Sequence, residues 1–241
     1  MKCVVLAAGF GSRLKEVADS KPLVPIGGVP LIEHVLRRAA AAGATQFLVV
    51  TGHEGDRLEA YLGNLEARFG LTIEAVRCVE YDRPNGFSVL AAASRVEGPY
   101  LLLMADHLFD PQVVKSLLDA PQAGAGVTLV VDRDLAGPLL DLDDATKVQV
   151  GEGGRIVRIG KSLARYDAID TGIFLATPAL ADAIRAAIAE GGAGSLSEGV
   201  QRLADAGQAA TLDIGADRWI DVDNAHMLRL AEALVSDRSA G

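Results

Sequence analysis

The chain is poor in aromatic residues and cysteine, has no excess of basic residues, and contains no long apolar run. Only 5% of its 241 residues are Phe, Trp or Tyr, which disfavours the aromatic cage that a quaternary ammonium ligand needs. The two cysteines, Cys3 and Cys78, lie in apolar strand-like stretches. They form no metal or disulfide pattern, so a reducing compartment, the cytoplasm, is expected. Acidic residues number 32 against 23 Lys and Arg, a formal net charge of −9. That balance argues against general binding to nucleic acid or to an acidic membrane, both of which require clustered cations. Any anion must therefore be held locally. No stretch reaches the ~20 apolar residues of a spanning helix. The first apolar run, residues 3–8, is too short for a signal-peptide core, so no membrane insertion is expected.

What is present is alternation. Short runs rich in Val, Leu and Ile recur at residues 3–8, 47–51, 100–105 and 127–131, with helical patterns between them. That order predicts an α/β fold with a doubly wound, mostly parallel, Rossmann-like sheet covered on both faces. Helices are expected over 31–42, ended at Gly43, and over 56–69, ended at Gly70. From 146 to 159 the pattern becomes Lys-Val-Gln-Val, Gly-Glu-Gly-Gly, then Arg-Ile-Val-Arg-Ile. This predicts a small antiparallel hairpin inserted beside the main sheet. A strand at 171–175, helices at 178–190 and 196–206, a strand at 219–222 and a helix at 225–235 complete the reading. The whole chain, 1–241, is taken as a single domain with two halves, 1–132 and 133–241.

Gly9 and Gly11 directly follow the first strand and free the backbone to turn successive N–H groups toward one anion. A dinucleotide-binding loop would need a third glycine where Leu14 stands, and an acid at the end of the next strand, which instead runs into Thr51-Gly52. A P-loop would need Lys and Ser or Thr straight after its last glycine, but Ser12-Arg13 follow here. Both alternatives fail on spacing. What remains is a glycine loop with Arg13 inside it and Lys21 beyond, suited to a triphosphate; a strand-to-loop turn with surface charges stays open.

A second cluster strengthens the triphosphate reading. The strand at 100–105 runs into Asp106, and ligands of parallel sheets bind outside the carboxyl ends of strands. A carboxylate beside phosphates calls for a cation between them, and Mg²⁺ is the natural mediator. Trp219-Ile-Asp221-Val-Asp223 supplies two more carboxylates. Asp221 is the preferred second ligand, since Asp223 reads equally as an N-terminal cap for the following helix.

These segments carry a resemblance. Leu6-Ala-Ala-Gly-Phe-Gly-Ser-Arg13, Lys21-Pro-Leu-Val-Pro25, Ala105-Asp106 and Trp219-Ile-Asp-Val-Asp223 resemble the nucleotidyltransferases that couple NTPs to sugar or alcohol phosphates. Asn85-Gly-Phe-Ser88, Met104-Ala-Asp-His-Leu-Phe-Asp-Pro111, Ala145-Thr-Lys147, Ile159-Gly-Lys161 and Ile169-Asp-Thr-Gly-Ile-Phe174 are most similar to the CTP:inositol-1-phosphate cytidylyltransferases.

The resemblance implies a Mg²⁺-dependent enzyme joining CTP to a small alcohol phosphate, inositol 1-phosphate first, to give a CDP-alcohol and pyrophosphate. It assigns Leu6, Ala8, Gly9, Gly11, Asn85, Gly86 and Ser88 to the nucleotide. Arg13 would hold the β- and γ-phosphates and Lys21 the α-phosphate, with Mg²⁺ on Asp106 and Asp221. Lys147, Lys161 and Asp170 would hold the acceptor, Lys161 through its phosphate and Asp170 through hydroxyls. Read without the resemblance, Asn85 is a turn residue or helix cap, Lys161 a solvated hairpin lysine and Asp170 a structural Asp at a strand start. The product would pass to a separate membrane-bound CDP-alcohol phosphotransferase. Phosphoglycerate, phosphocholine or a sugar 1-phosphate as acceptor, and a noncatalytic nucleotide-sensing subunit, are the competing readings. The oligomeric state, a homodimer included, is left open.

Overall fold

The computed structural model describes residues 1–11, 19–120, 126–137 and 139–239; Arg13 lies outside them. The first strand, β1 (Lys2–Ala7), alternates its side chains between two apolar clusters, one on each face of the sheet. Cys3, Val5 and Ala7 join one, and Val4 and Leu6 the other. After a 3₁₀ turn at Lys21–Leu23 come a two-stranded ribbon, β2 (Pro25–Ile26) with β3 (Val29–Pro30), and then α1 (Leu31–Ala41). Next are β4 (Gln46–Thr51), α2 (Gly55–Phe69), β5 (Thr72–Arg77), α3 (Gly86–Ala92) and β6 (Tyr100–Met104). These strands lie side by side in the order β6-β1-β4-β5, all parallel. The parallel core of the α/β fold is thus the one expected.

The second half widens that sheet. After β7 (His107–Phe109) and α4 (Pro111–Asp119) come β8 (Val127–Asp132), the hairpin β9 (Lys147–Val150) and β10 (Ile156–Gly160), and the long β11 (Ala168–Ala176). β11 pairs antiparallel with β6, β8 and β9, so the hairpin continues the main sheet at its edge instead of standing beside it. The chain ends with α5 (Ala179–Ala189), α6 (Leu196–Asp205), β12 (Ala209–Asp213), β13 (Trp219–Asp221) and α7 (Ala225–Ser239). β12 pairs parallel with β8, and β13 forms a separate antiparallel ribbon with β7.

One cluster packs α1, α2, α4 and α7 against the sheet through Leu36, Leu58, Val114 and Met227; the other packs α3, α5 and α6 through Phe87, Ile184 and Val200. Each such buried apolar side chain contributes about 1.5–3 kcal/mol. α6 begins in a full capping box: Ser195 accepts from the Glu198 N–H while Glu198 accepts from the Ser195 N–H. Cys78 falls one residue past β5, its N–H donating to the Thr51 carbonyl at 2.8 Å.

Candidate functional site

Because β1 and β6 are in-register neighbours, with Leu6 opposite Met104, the glycine loop and Asp106 leave the sheet side by side. The chain then turns into β7, which pairs with β13 so that His107 lies opposite Asp221. The Val222 N–H donates to the Asp106 carbonyl at 2.9 Å. This short ribbon is what joins two acids far apart in sequence. Asp223 follows β13 and points to the same centre. It is not a helix cap: Asn224 Oδ1 accepts the His226 and Met227 N–H groups, both at 3.0 Å, at the start of α7.

Lys21 stands at the middle. Its Nζ donates to Asp106 Oδ2 and Asp223 Oδ1, each at 2.6 Å, and lies 3.8 Å from Asp221 Oδ1. The side chain is only 8% exposed. Burial opposes its charge, but Asp106, Asp221 and Asp223 outweigh that cost and raise its pKa above the usual lysine range. Asp106 shows the converse: burial raises its pKa, while Lys21 and His107 more than offset this and hold it below the carboxylate range. Gly11 has a positive φ of +56° and presses on the Lys21 stem, where any Cβ would collide.

His107 completes the centre. Nδ1 lies 2.7 Å from the Thr171 carbonyl, which can only accept, so Nδ1 carries the proton. Nε2 lies 3.6 Å from Asp106 Oδ1 and 3.5 Å from Asp221 Oδ2. Burial works against its charge, yet Asp221 foremost, then Asp106 and the Thr171 carbonyl, push its pKa up to about 10. Gly172 leaves the room: at φ +73°, its missing side chain would strike the imidazole. The irregularity in β11 between Asp170 and Phe174 sits at the same place.

Asp221 Oδ1 is buried and has no hydrogen-bond partner, an arrangement that costs free energy unless a cation faces the oxygen. Asp106, His107 and Asp221 bring one donor atom each within 4.8 Å of one another, as do Asp144, Asp221 and Asp223. These acidic clusters are largely oxygen donors and fit a hard divalent cation.

Two cavities meet at this centre. One, of about 210 Å³, is lined by Leu6, Gly9, Gly11, Lys21, Asp106 and Asp223 among others. The other, of about 340 Å³, holds Asp106, Asp223 and Asp221 with Asp144, Lys161, Asp170 and Trp219. Asp106 and Asp223 are therefore their common wall. Ala8 lines neither cavity; its carbonyl accepts the His53 N–H at 3.0 Å.

The segment expected to read a base is built differently from that expectation. Asn85 lines the larger cavity, but its Oδ1 accepts the Leu196 N–H at 2.9 Å, capping α6 and not its own helix. Gly86 packs flush on the Gly194 carbonyl. Ser88 is buried and bonds with the Cys78 thiol. The Phe87 and Ser88 amides donate to the carbonyls of Pro84 and Asn85, at 3.0 and 3.1 Å, so they are engaged within the chain.

Of the residues expected to hold the acceptor, Lys161 and Asp170 both line the larger cavity. Lys161 Nζ donates to Asp144 Oδ1 at 2.7 Å. Asp170 accepts the Gly172 N–H at 2.7 Å, and burial raises its pKa to about 6 against that bond and the pull of His107. Lys147 does not line the cavity: its Nζ donates to the Lys161 carbonyl at 3.0 Å and lies over the Tyr166 ring. Sequence reasoning missed Asp141 and Asp144, which lie in a segment with no strand or helix pattern. It also assigned no role to His107, although a His directly after a strand-end Asp was a signal.

A parallel-core α/β sheet with a glycine loop and strand-end carboxylates around one buried lysine defines a protein that binds nucleoside phosphates and acts on them. Residues 3–210 match the model of the MobA-like NTP transferase domain, and the chain belongs to that family of nucleotidyltransferases. The chain is 37% identical, over 96% of its length, to the "Bifunctional IPC transferase and DIPP synthase" of Rubrobacter xylanophilus. The protein of the same description from Archaeoglobus fulgidus is 34% identical over 73% of the chain. The chain spans 51% and 32% of these two relatives. Among solved structures, the inositol-1-phosphate CTP transferase from T. maritima superposes with a TM-score of 0.86 at 26% identity, covering 97% of this chain and 94% of that one. Among the described residues, no helix is long and apolar enough to cross a membrane.

Proposed function

We propose that the chain transfers the cytidylyl group of CTP to inositol 1-phosphate, giving CDP-inositol and pyrophosphate. The observation that carries this reading is the common wall: two cavities, one beside the glycine loop and one with a lysine among hydroxyl-accepting carboxylates, share Asp106 and Asp223. The description of the T. maritima structure supplies the nucleotide and the acceptor. The first 132 residues then serve the nucleotide and residues 133–241 the acceptor.

A phosphate oxygen of the acceptor attacks the α-phosphorus of CTP. The new O–P bond forms as the bond to the β-phosphate oxygen breaks, and pyrophosphate leaves with that electron pair. A phosphate monoester has a second pKa of ~6 and is largely dianionic at neutral pH, so no base is required. The work of the protein is to align two anions and offset their charge. Lys21, permanently protonated, faces the α-phosphate. Gly9 and Gly11 offer backbone donors, and the outer phosphates are the role read for Arg13 from the sequence. Lys161 takes the acceptor phosphate and Asp170 accepts from its hydroxyls. Mg²⁺ is the cation for Asp106 and Asp221, with Asp223 beside them, and it would supply charge neutralisation at the reacting phosphorus. The reading puts the enzyme in the cytoplasm, with a membrane CDP-alcohol phosphotransferase consuming its product.

The test is pyrophosphate release from CTP, UTP, GTP and dTTP, each with inositol 1-phosphate, phosphocholine, phosphoglycerate and glucose 1-phosphate. CTP with inositol 1-phosphate is expected to give the highest kcat/KM. A preference for dTTP or UTP with glucose 1-phosphate would reject the reading.

A further inference from the structure

The larger cavity has an unusual charge balance. Lys21 and His107 lie against Asp106, Asp221 and Asp223, which leaves Lys161 as the further cation among the described residues that line the cavity. Asp141, Asp144 and Asp170 line the same cavity. The Lys161 ammonium is already engaged by Asp144 at 2.7 Å. Asp144 is less exposed than its partner, 29% against 61%, and sits within 4.8 Å of Asp221 and Asp223 at its oxygen atoms.

A surface lysine pairs with a carboxylate for little net gain in stability. The effect of Asp144 on a ligand is larger. A lysine has three donors and can hold Asp144 and a phosphate together, but the carboxylate then lies a few ångströms from whatever the phosphate is attached to. A neutral polyol body meets it with hydroxyl donors. A body bearing its own carboxylate meets it with like charge, and two unit charges about 6 Å apart at an effective dielectric near 40 repel enough to change an equilibrium about 10-fold.

Building on the cytidylyltransferase reading, we propose that Asp144 is a specificity-determining residue: paired with Lys161, it admits phosphates on uncharged polyhydroxylated bodies and rejects acceptors that carry a second acidic group. Asp141 supports the same wall, its Oδ2 accepting from the Asn224 amide at 3.3 Å.

The experiment measures kcat/KM with CTP for inositol 1-phosphate and for phosphoglycerate, and reads their ratio in wild type, Asp144→Asn and Asp144→Glu. Asp144→Asn should raise the phosphoglycerate-to-inositol phosphate ratio about 10-fold, while Asp144→Glu keeps the wild-type ratio. A merely structural Asp144 would change both acceptors by one factor and leave the ratio unmoved, which overturns the proposal. A second measurement needs no variant. In wild type, raising the salt from 0.05 to about 0.5 M should lift the same ratio, because screening weakens the repulsion and the common phosphate contact cancels; a flat ratio counts against the proposal. Wild type that turns over neither acceptor with CTP refutes the cytidylyltransferase reading itself, whereas an active wild type with an unmoved ratio refutes only the role of Asp144.

Discussion

The two lysines of the site differ in almost every physical respect. Lys21 is 8% exposed and touches three carboxylates; Lys161 is 61% exposed, and its salt bridge is to Asp144. Lys21 emerges from a 3₁₀ turn pinned by Pro22 and is pressed by Gly11, while Lys161 follows an edge hairpin. A buried cation among acids is part of the fold as well as of the chemistry, whereas an exposed one can be spent on a ligand. The comparison teaches that the positive charge beside the glycine loop is built in, and the positive charge in the larger cavity is lent.

The largest effect should come from Lys21→Met. Removing one member of a buried ion cluster typically costs about 3–5 kcal/mol, here through mutual repulsion of Asp106, Asp221 and Asp223. Thermal melts should show that loss at neutral pH, and added Mg²⁺ should restore part of it. The pH dependence should also shift relative to wild type. In wild type the lowered pKa of Asp106 gives stability that is present above its unfolded pKa near 4 and disappears as pH falls below it. Without Lys21 the carboxylates gain from protonation, so stability should rise as pH falls toward 4. Melts that match wild type across this range would break the comparison, by showing that Lys21 is as dispensable to the fold as Lys161.

Asp106→Asn comes next. It keeps the shape and one acceptor oxygen for Lys21 but removes the charge that draws a divalent cation. Turnover should fall at least about 100-fold while the protein stays folded, with a melting temperature lowered by loss of the charge beside Lys21. A near-normal rate would remove Asp106 from the metal assignment.

A smaller effect is expected for Asp170→Asn. Burial raises the Asp170 pKa to about 6, above its unfolded value, so the folded state holds the proton more tightly between about pH 4 and 6. Stability therefore falls as pH rises through that window and is flat above it. Asn has no proton to lose and can still accept from the Gly172 N–H. The variant should be about 1–2 kcal/mol more stable relative to wild type at pH 7 than at pH 4. Parallel melting temperatures across the window would count against a buried, reluctant carboxylate.

The sequence is legible where the physics is local. β1, β4, β6 and β8 are apolar on both faces and read as covered parallel strands, and Asp106 follows from its place at the end of one of them. β5, with four of its six residues exposed, has no such signature, because it is an edge strand. β12 has a full ladder with β8 and otherwise a lone bridge from Ala210 to Arg155. α4 was hidden by its shortness, although Pro111 opens it at the first turn. The acceptor side was harder for a different reason. Asp144, Lys161, Asp170 and Asp221 reach one cavity from the segment before β9, the end of the β9–β10 hairpin, the β11 irregularity and the β7–β13 ribbon; alternation shows the hairpin, but no periodicity in the chain encodes where the four residues meet. Asn85 could be recognised as a capping residue, but its helix lies more than a hundred positions away.

The smallest expected effect sharpens the comparison most. Lys161→Met removes an exposed charge whose bond to Asp144 is worth little to the fold, so stability should change by less than about 0.5 kcal/mol. Loss of the acceptor phosphate contact should raise the KM for inositol 1-phosphate about 10-fold, one charge-assisted hydrogen bond, and leave the KM for CTP unchanged. The rise should be similar for every acceptor phosphate tested, because an ammonium reads charge and not hydroxyl pattern. Asp144 keeps its charge when the Lys161 contact is removed, so discrimination against acidic acceptors should persist. If Lys161→Met instead raised the KM for CTP, or lowered the melting temperature as far as Lys21→Met does, the two lysines would not divide structure from recognition, and the acceptor would have to be sought elsewhere in the cavity.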